Sequence, residues 1–205
     1  AALLLVLAPM AQAQWNPSVG EWGKSEQTDI RVATWNVKDA LCRTANKSDA
    51  AYNWAAAART IAALRPDVLV LQECGDNQGN GTGSGIDSAS VLTNVIDLFF
   101  HGGADPYNGG QVDAYVQKYA PTYDLPYVYV PTISDSYNRN IILSSFPFGD
   151  LNGDTRSTLN DLPNISSGTW AAGGDGGIRG FQFAEILLPG DTYVGDVVMG
   201  NAHLK

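Results

Sequence analysis

Residues 68–73, Val-Leu-Val-Leu-Gln-Glu, begin with an uninterrupted apolar run directly after a Pro-Asp turn. A continuous apolar run of this length is typical of a strand that is buried on both faces. The Ala-rich stretch before it has apolar residues at helical spacing and predicts a helix over 53–64, and the alternation over 30–37 predicts another strand. Strand, helix and strand in this order predict a βαβ unit with parallel strands and a right-handed crossover.

The rest of the chain favours a mixed α/β protein of one domain. Its 205 residues, 44% hydrophobic and 16% charged, are enough for one sizeable core. No internal repeat is visible, and the second half is rich in strand patterns. Apolar spacing predicts further helices over 88–99 and 113–119, and strands over 127–130, 140–144, 180–188 and 194–201.

The N-terminus has the pattern of an export signal. Residues 1–10 are apolar but too few to cross a bilayer, and Ala-Gln-Ala follows at 11–13. We therefore expect a signal peptide over 1–13 that has lost its basic start and initiator Met, a linker over 14–28 and one domain over 29–205. The protein would then be secreted, to the periplasm or the outside of the cell. A buried N-terminal strand or helix is the alternative.

The charge of the chain bears on its partners. A formal net charge of -9, with no cluster of Lys and Arg, argues against tight nonspecific binding of nucleic acid. It does not exclude the hydrolysis of DNA, because a bound divalent cation can offset acidic ligands and substrate phosphates.

The two cysteines, Cys42 and Cys74, lack the spacing of a metal site. In an exported protein a disulfide between them is expected. Each follows one of the first two predicted strands, and parallel neighbours would bring those ends together. Two buried thiols are the alternative.

Polar side chains end three of the predicted strands. Asn36 lies at the end of the first strand and Glu73 at the end of the second, at the carboxyl edge where open α/β sheets bind ligands. Their oxygens suit Mg²⁺, Mn²⁺ or Ca²⁺. The last strand delivers Asn201 and His203. Taken singly, such an Asn usually caps a turn, such a Glu is usually solvated and such a His often lies in the core.

Four segments, taken in order, resemble the endonuclease/exonuclease/phosphatase superfamily, which includes DNase I. They are 34–37 (Thr-Trp-Asn-Val), 65–73 (Arg-Pro-Asp-Val-Leu-Val-Leu-Gln-Glu), 138–148 (Asn-Arg-Asn-Ile-Ile-Leu-Ser-Ser-Phe-Pro-Phe) and 201–204 (Asn-Ala-His-Leu). The resemblance spans roughly residues 30–205. It implies an α/β (α+β) fold, a DNase I-like four-layer sandwich with two mixed β-sheets that is incomplete at its C-terminus.

The resemblance also implies roles for individual residues. Glu73 would be the principal metal ligand, and Asn36 would help to hold the metal, Mg²⁺ or else Mn²⁺ or Ca²⁺, or the attacked phosphate. His203 would stabilise the transition state or protonate the leaving oxygen. Further phosphate contacts would come from Asn201, Arg139 and Arg179, although surface ion pairs are as good an explanation of the two arginines.

The reaction implied is in-line attack of metal-assisted water on a phosphodiester or phosphomonoester. In the family a second His, from a Ser-Asp-His motif, activates that water, and an Asp-x-Asn motif precedes it. Neither follows His203. We therefore expect a truncated chain that is inactive and folds poorly by itself.

The substrate class stays open between nucleic acid, a lipid or inositol headgroup and a sugar phosphate, and no oligomeric state is predicted. The alternative to an enzyme is a non-catalytic extracellular binding module that keeps the fold.

Overall fold

A computed structural model describes residues 24, 26–38, 41, 54–74, 88–131, 139–149, 159–160 and 178–204. The described part contains three helices and nine strands. The helices are α1 (Trp54–Leu64), α2 (Ala89–His101) and α3 (Tyr115–Tyr119). The strands are β1 (Val32–Asn36), β2 (Val68–Cys74), β3 (Gly103–Ala104), β4 (Gln111–Val112), β5 (Tyr127–Tyr129), β6 (Arg139–Ser144), β7 (Leu159–Asn160), β8 (Ile178–Ile186) and β9 (Val197–Leu204).

The predicted βαβ unit is the centre of the fold. β1 and β2 pair in parallel, from Val32 opposite Val68 to Asn36 opposite Gln72, and α1 connects them. β6 pairs antiparallel with β2, and β5 pairs antiparallel with β6, so the four-stranded sheet has the order β1-β2-β6-β5. The carboxyl ends of β1 and β2 therefore meet at one edge of a mixed sheet.

Helices cover one face of this sheet. Leu69 and Leu71 of β2 belong to the same buried cluster as residues of α1 and α2. Trp54 of α1 is fully buried there, and its ring lies edge-on to Phe99 and Tyr115, with centroids 5.0 and 5.3 Å away. This face is a conventional apolar core built by burial of large side chains.

The chain leaves α2 through a glycine that the packing requires. Gly102 has φ 70°, and a Cβ there would lie 2.6 Å from the carbonyl oxygen of Val112. Ser88 begins the same helix by accepting a hydrogen bond from the backbone N–H of Val91. Such a cap is typical of a helix start.

A second sheet packs on the opposite face. Its described strands, β7, β8 and β9, are antiparallel and lie in the order β7-β8-β9. Val68, Val70 and Ile142 of the first sheet share a buried cluster with Ala184 and Ile186 of β8. The described residues thus form a helical layer, a four-stranded sheet and a three-stranded sheet, in that order. The mixed α/β class is confirmed, while the fourth layer and the mixed character of the second sheet stay predictions.

The predicted element boundaries differ most at the last hairpin. β8 and β9 were expected over 180–188 and 194–201, but residues 187–196 form their connection. In that connection the N–H groups of Thr192 and Tyr193 donate to the carbonyl of Pro189, and Leu188 N donates to Asp196. These bonds hold a turn in place of strand pairing, and β9 continues to Leu204.

Several expectations concern other parts of the chain. The signal peptide over 1–13 and most of the linker over 14–28 lie outside the described residues. Among the described helices, none has the length and apolar character needed to cross a membrane.

Candidate active site

Three of the predicted residues meet at the carboxyl edge of the four-stranded sheet. His203 Nε2 lies 3.2 Å from Glu73 Oε1 and 3.3 Å from Asn36 Nδ2. The side chains of His203 and Glu73 retain 13% and 20% of their exposure, and Asn36 is exposed, so the group is reachable from solvent. We call these three residues the edge group.

Asn36 reaches the edge group because of the alternation along β1. Ala33 and Trp35 pack on the helix side, so Thr34 and Asn36 lie on the face toward the second sheet. The backbone N–H of Val37 donates to the carbonyl of Gln72, which keeps the ends of β1 and β2 together. The Oδ1 atom of Asn36 accepts a hydrogen bond from Lys38 N at 3.0 Å.

Glu73 reaches the edge group through an irregular backbone. Leu69 and Leu71 face the helices, and regular alternation would send Glu73 the same way. Instead its φ is 55°, in the left-handed region, and the β2–β6 register shifts between Leu71 and Cys74. This β-bulge turns the carboxylate toward His203. A left-handed non-glycine residue costs roughly 1–2 kcal/mol, which is typical of strain held at a functional site.

His203 comes from β9, on the face that looks toward the first sheet. Its Nδ1 atom is buried without a hydrogen-bond partner. A proton on Nδ1 would leave a buried donor unpaired, whereas a proton on Nε2 can be donated to the Glu73 carboxylate. The structure thus favours the tautomer with the proton on Nε2, which makes this nitrogen a hydrogen-bond donor.

The two neighbours of His203 Nε2 have opposite character. Asn36 Nδ2 only donates and Glu73 Oε1 only accepts. One ring nitrogen cannot satisfy both neighbours. With the proton on Nε2, two N–H donors lie side by side, and they suit one shared oxygen acceptor such as a phosphoryl oxygen. The adjacent carboxylate would repel that oxygen unless a cation lay between them.

The donor set fits a magnesium ion that keeps most of its water. No group of three His, Cys, Asp or Glu that could hold a metal occurs among the residues that the structure describes. Glu73 offers a carboxylate, and the amide oxygen of Asn36 has a second lone pair beside its bond to Lys38. One or two protein oxygens, completed by water and substrate phosphate, are a usual environment for Mg²⁺.

Asn201 does not join the edge group. It is 1% exposed, and its amide is engaged on both sides by other protein groups. The two protons of Nδ2 are shared among three acceptors within 3.2 Å, the carbonyls of Leu71 and Ile141 and Gln182 Oε1, and Oδ1 accepts from Gln72 Nε2. The predicted contact of Asn201 with phosphate therefore has no support in this geometry.

Arg139 lies on the other face of the first sheet from the edge group, and the side chain of Arg179 is outside the described part of the chain. Arg139 shares a face of β6 with Ile141 and Leu143, the face that the helices cover, and its Nη1 donates to the carbonyl of Pro131 at 3.0 Å. Arg179 pairs with His203 in the β8–β9 register. Its part in phosphate binding stays a prediction.

The predicted disulfide is not tested either. Cys74 is buried in the helix-side cluster, and Cys42 lies outside the described residues.

Sequence reasoning missed Gln72 and Gln182, the amides that hold Asn201. A signal was available at Gln72, because a Gln that continues a buried apolar run needs a buried partner.

Comparison with known proteins gives limited support. No protein-family model and no curated protein matches the chain. Among solved structures, an endonuclease/exonuclease/phosphatase from Beutenbergia cavernae DSM 12333 is similar, with 22% sequence identity and a TM-score of 0.39 over 85% of this chain. The match spans 38% of the length of that structure. A TM-score this low does not establish a shared fold, so the assignment of chemistry rests on the residues themselves.

Proposed function

We propose that the protein is a secreted phosphoester hydrolase that depends on a divalent metal ion. The observation that carries the proposal is the edge group, where the Asn36 amide nitrogen and the Glu73 carboxylate both lie within 3.3 Å of His203 Nε2. The resemblance of four sequence segments to the endonuclease/exonuclease/phosphatase superfamily supports the same reaction class.

The residues of the edge group have two roles, which are to bind the metal ion and to donate hydrogen bonds to the phosphoryl group. Glu73, with the amide oxygen of Asn36, would hold Mg²⁺ or Mn²⁺. When bound, the ion neutralises phosphate charge and lowers the pKa of a water that attacks phosphorus. With the Glu73 carboxylate bound to the ion, His203 Nε2–H would be released from it and, together with Asn36 Nδ2, would donate to oxygens of the phosphoryl group, where negative charge grows in the transition state. The left-handed backbone at Glu73 keeps the carboxylate beside these donors.

The charge of the chain favours a compact substrate over a long polyanion. At a net charge of -9, little general attraction for a nucleic-acid backbone is available. A phosphodiester or phosphomonoester of a small molecule or lipid headgroup needs only the local charge of the metal and the two donors. A nuclease that binds its polymer weakly belongs to the same reaction class.

The test is hydrolysis of bis-p-nitrophenyl phosphate by the complete protein in the presence of Mg²⁺ or Mn²⁺. We expect Glu73→Gln and His203→Ala each to lower kcat at least about a hundredfold, as loss of one electrostatic or acid–base group does. Removal of the metal with EDTA should abolish turnover, and added metal should restore it.

The chain offers a matched control, since it has only two histidines. His101 lies at the end of α2 between Asp97 and Asp124, at 2.7 and 3.0 Å. We expect His101→Ala to keep at least half of the wild-type kcat. Wild-type turnover in both edge-group variants, or equal loss in the control, would contradict the proposal. Binding of Mn²⁺ without turnover would favour a binding module.

A further inference from the structure

Three buried amides lie between the two sheets, next to the edge group. Gln72 of β2, Gln182 of β8 and Asn201 of β9 are 9%, 2% and 1% exposed. Amides this deeply buried are costly unless they are hydrogen-bonded, and these are bonded to one another, although Gln182 Nε2 is buried without a partner. We call them the amide cluster.

Asn201 is the centre of the amide cluster. Its Nδ2 lies 3.0 Å from Leu71 O, 3.2 Å from Ile141 O and 3.0 Å from Gln182 Oε1. Its Oδ1 accepts from Gln72 Nε2 at 2.9 Å, and the same nitrogen donates to Thr34 Oγ1 at 3.0 Å. One side chain of β9 is thereby connected to β1, β2, β6 and β8.

The carbonyls that Asn201 contacts lie where the first sheet is interrupted. Leu71 and Ile141 form the last regular pair of β2 and β6 before the register shift. Asn201 donates to both carbonyls at the start of the bulge that turns Glu73 into its left-handed conformation. The amide thus stabilises the irregular backbone that presents the carboxylate.

Asn201 also sets the position of His203. The two residues are separated by one position on β9 and therefore lie on the same face of the strand. With Asn201 bonded to β2 and β6, β9 cannot slide along the first sheet, and the imidazole stays 3.2 Å from Glu73 Oε1. The carboxylate and the imidazole depend on the same hydrogen-bonded side chain for their relative position.

We propose that Asn201, held by Gln72 and Gln182, is a positioning residue that fixes Glu73 and His203 relative to each other across the two sheets. This inference rests on the proposed function for its catalytic consequence, but the position itself is independent of turnover.

The test compares Asn201→Leu with Leu92→Ala in the complete protein. Leu92 is a fully buried residue of the helix-side cluster, so its truncation destabilises the fold without removing a hydrogen bond of the amide cluster. For Asn201→Leu we expect kcat to fall about ten- to a hundredfold, the effect of misplacing a reacting group by about 1 Å, with KM within about threefold. For Leu92→Ala, assayed where the variant is folded, kcat should stay within about twofold of wild type.

A second measurement needs no activity. Long-range ¹H–¹⁵N spectra report the tautomer of each histidine ring. We expect His203 to hold its proton on Nε2 in the wild type, and to show a mixture of tautomers in Asn201→Leu, with His101 unchanged in both. An unaltered His203 signal and wild-type kcat in Asn201→Leu would overturn the inference. An altered signal in a protein whose wild type has no turnover would support positioning and refute the proposed function.

Discussion

The first sheet has polar groups at both ends of β1 and β2, and the two ends differ in how those groups are matched. At the amino end, Asp67 Oδ2 accepts from Arg31 N at 2.6 Å and lies 2.8 Å from Lys24 Nζ. The guanidinium of Arg31 donates to the carbonyl of Leu64, and Tyr123 OH donates to that of Pro66. Each of these contacts joins a donor to an acceptor or a cation to an anion.

At the carboxyl end of β1 and β2, the donors and acceptors are not complementary. There His203 Nε2 faces both a donor and an acceptor, its Nδ1 is buried without a partner, and Glu73 has a left-handed backbone. The contacts of Asp67, Arg31 and Tyr123 at the amino end are complementary and stabilise the fold, and the left-handed backbone and unpaired buried Nε of Arg65 are the exception there. Mismatched contacts at the carboxyl end cost stability in the protein alone, and the proposed metal ion and phosphate would relieve the mismatch at Nε2. The comparison predicts that removal of an amino-end contact lowers stability, whereas at position 73 glycine is more stable than alanine because it relieves the backbone strain.

The largest effect on stability is expected at the amino end, for Asp67→Ala. This change removes the acceptor of the Arg31 N–H and the partner of Lys24. A hydrogen bond to a charged group contributes about 1.5–3 kcal/mol, and we expect the free energy of unfolding in urea to fall by that amount. The signal of His203 in ¹H–¹⁵N spectra should not change, because the edge group lies at the other end of the sheet.

Asp113→Ala is the control for this prediction. Asp113 lies 3.9 Å from Lys118 on the surface, where both side chains are more than half exposed. An exposed ion pair of this kind contributes little, so its loss should change stability by less than about 1 kcal/mol. Equal destabilisation by the two variants would break the comparison, because the amino-end contacts would then be ordinary surface pairs.

Much of the first sheet could be predicted from sequence. The apolar run of β2 predicts a strand buried on both faces, and the structure covers one face with helices and the other with β8 and β9. Segments of four or more residues predicted the element types, because they carry a helical period, an alternation or a continuous apolar run. The two-residue strands β3 and β4 were not predicted, since two residues show no period.

The residues of the site could be predicted from the sequence, but the hydrogen bonds that hold them could not. Asn36, Glu73 and His203 end strands, which is visible in the sequence. The resemblance implied a phosphate contact for Asn201, whereas its amide is bonded to Leu71, Ile141, Gln72 and Gln182. The bulge at Glu73 could not be predicted, because it depends on hydrogen bonds from a strand about 130 residues later.

The second-largest effect on stability is expected from pH, and it again concerns the amino end of the sheet. Burial, with Asp67 and Asp124 nearby, raises the pKa of Tyr123 well above its usual value of 10.0. Below pH 10 both the folded and the unfolded protein keep this proton, so the contribution to stability is fully present. Above pH 10 the unfolded chain releases it while the folded protein retains it, and stability falls by about 1.4 kcal/mol per pH unit for this group.

Tyr123→Phe should remove that alkaline dependence, at a cost of about 1 kcal/mol near neutral pH for the lost bond to Pro66 O. Urea titrations at pH 8, 10 and 11 measure both quantities. Tyr119, which is 38% exposed, provides the control, because Tyr119→Phe should keep the wild-type slope above pH 10. If wild type and Tyr123→Phe lose stability in parallel above pH 10, Tyr123 does not contribute in this way.

The smallest effect on stability is expected at the carboxyl end. There glycine should be more stable than alanine, which is the reverse of their order in a regular strand. At position 73 both Glu73→Ala and Glu73→Gly remove the carboxylate, but only glycine adopts a φ of 55° without strain. We therefore expect Glu73→Gly to be more stable than Glu73→Ala by about 1 kcal/mol in urea. At Glu185, in β8, the same pair should have the reverse order, because glycine weakens a regular strand. If alanine were the better residue at both positions, the bulge would hold no strain and the contrast between the two ends of the sheet would lose its energetic basis.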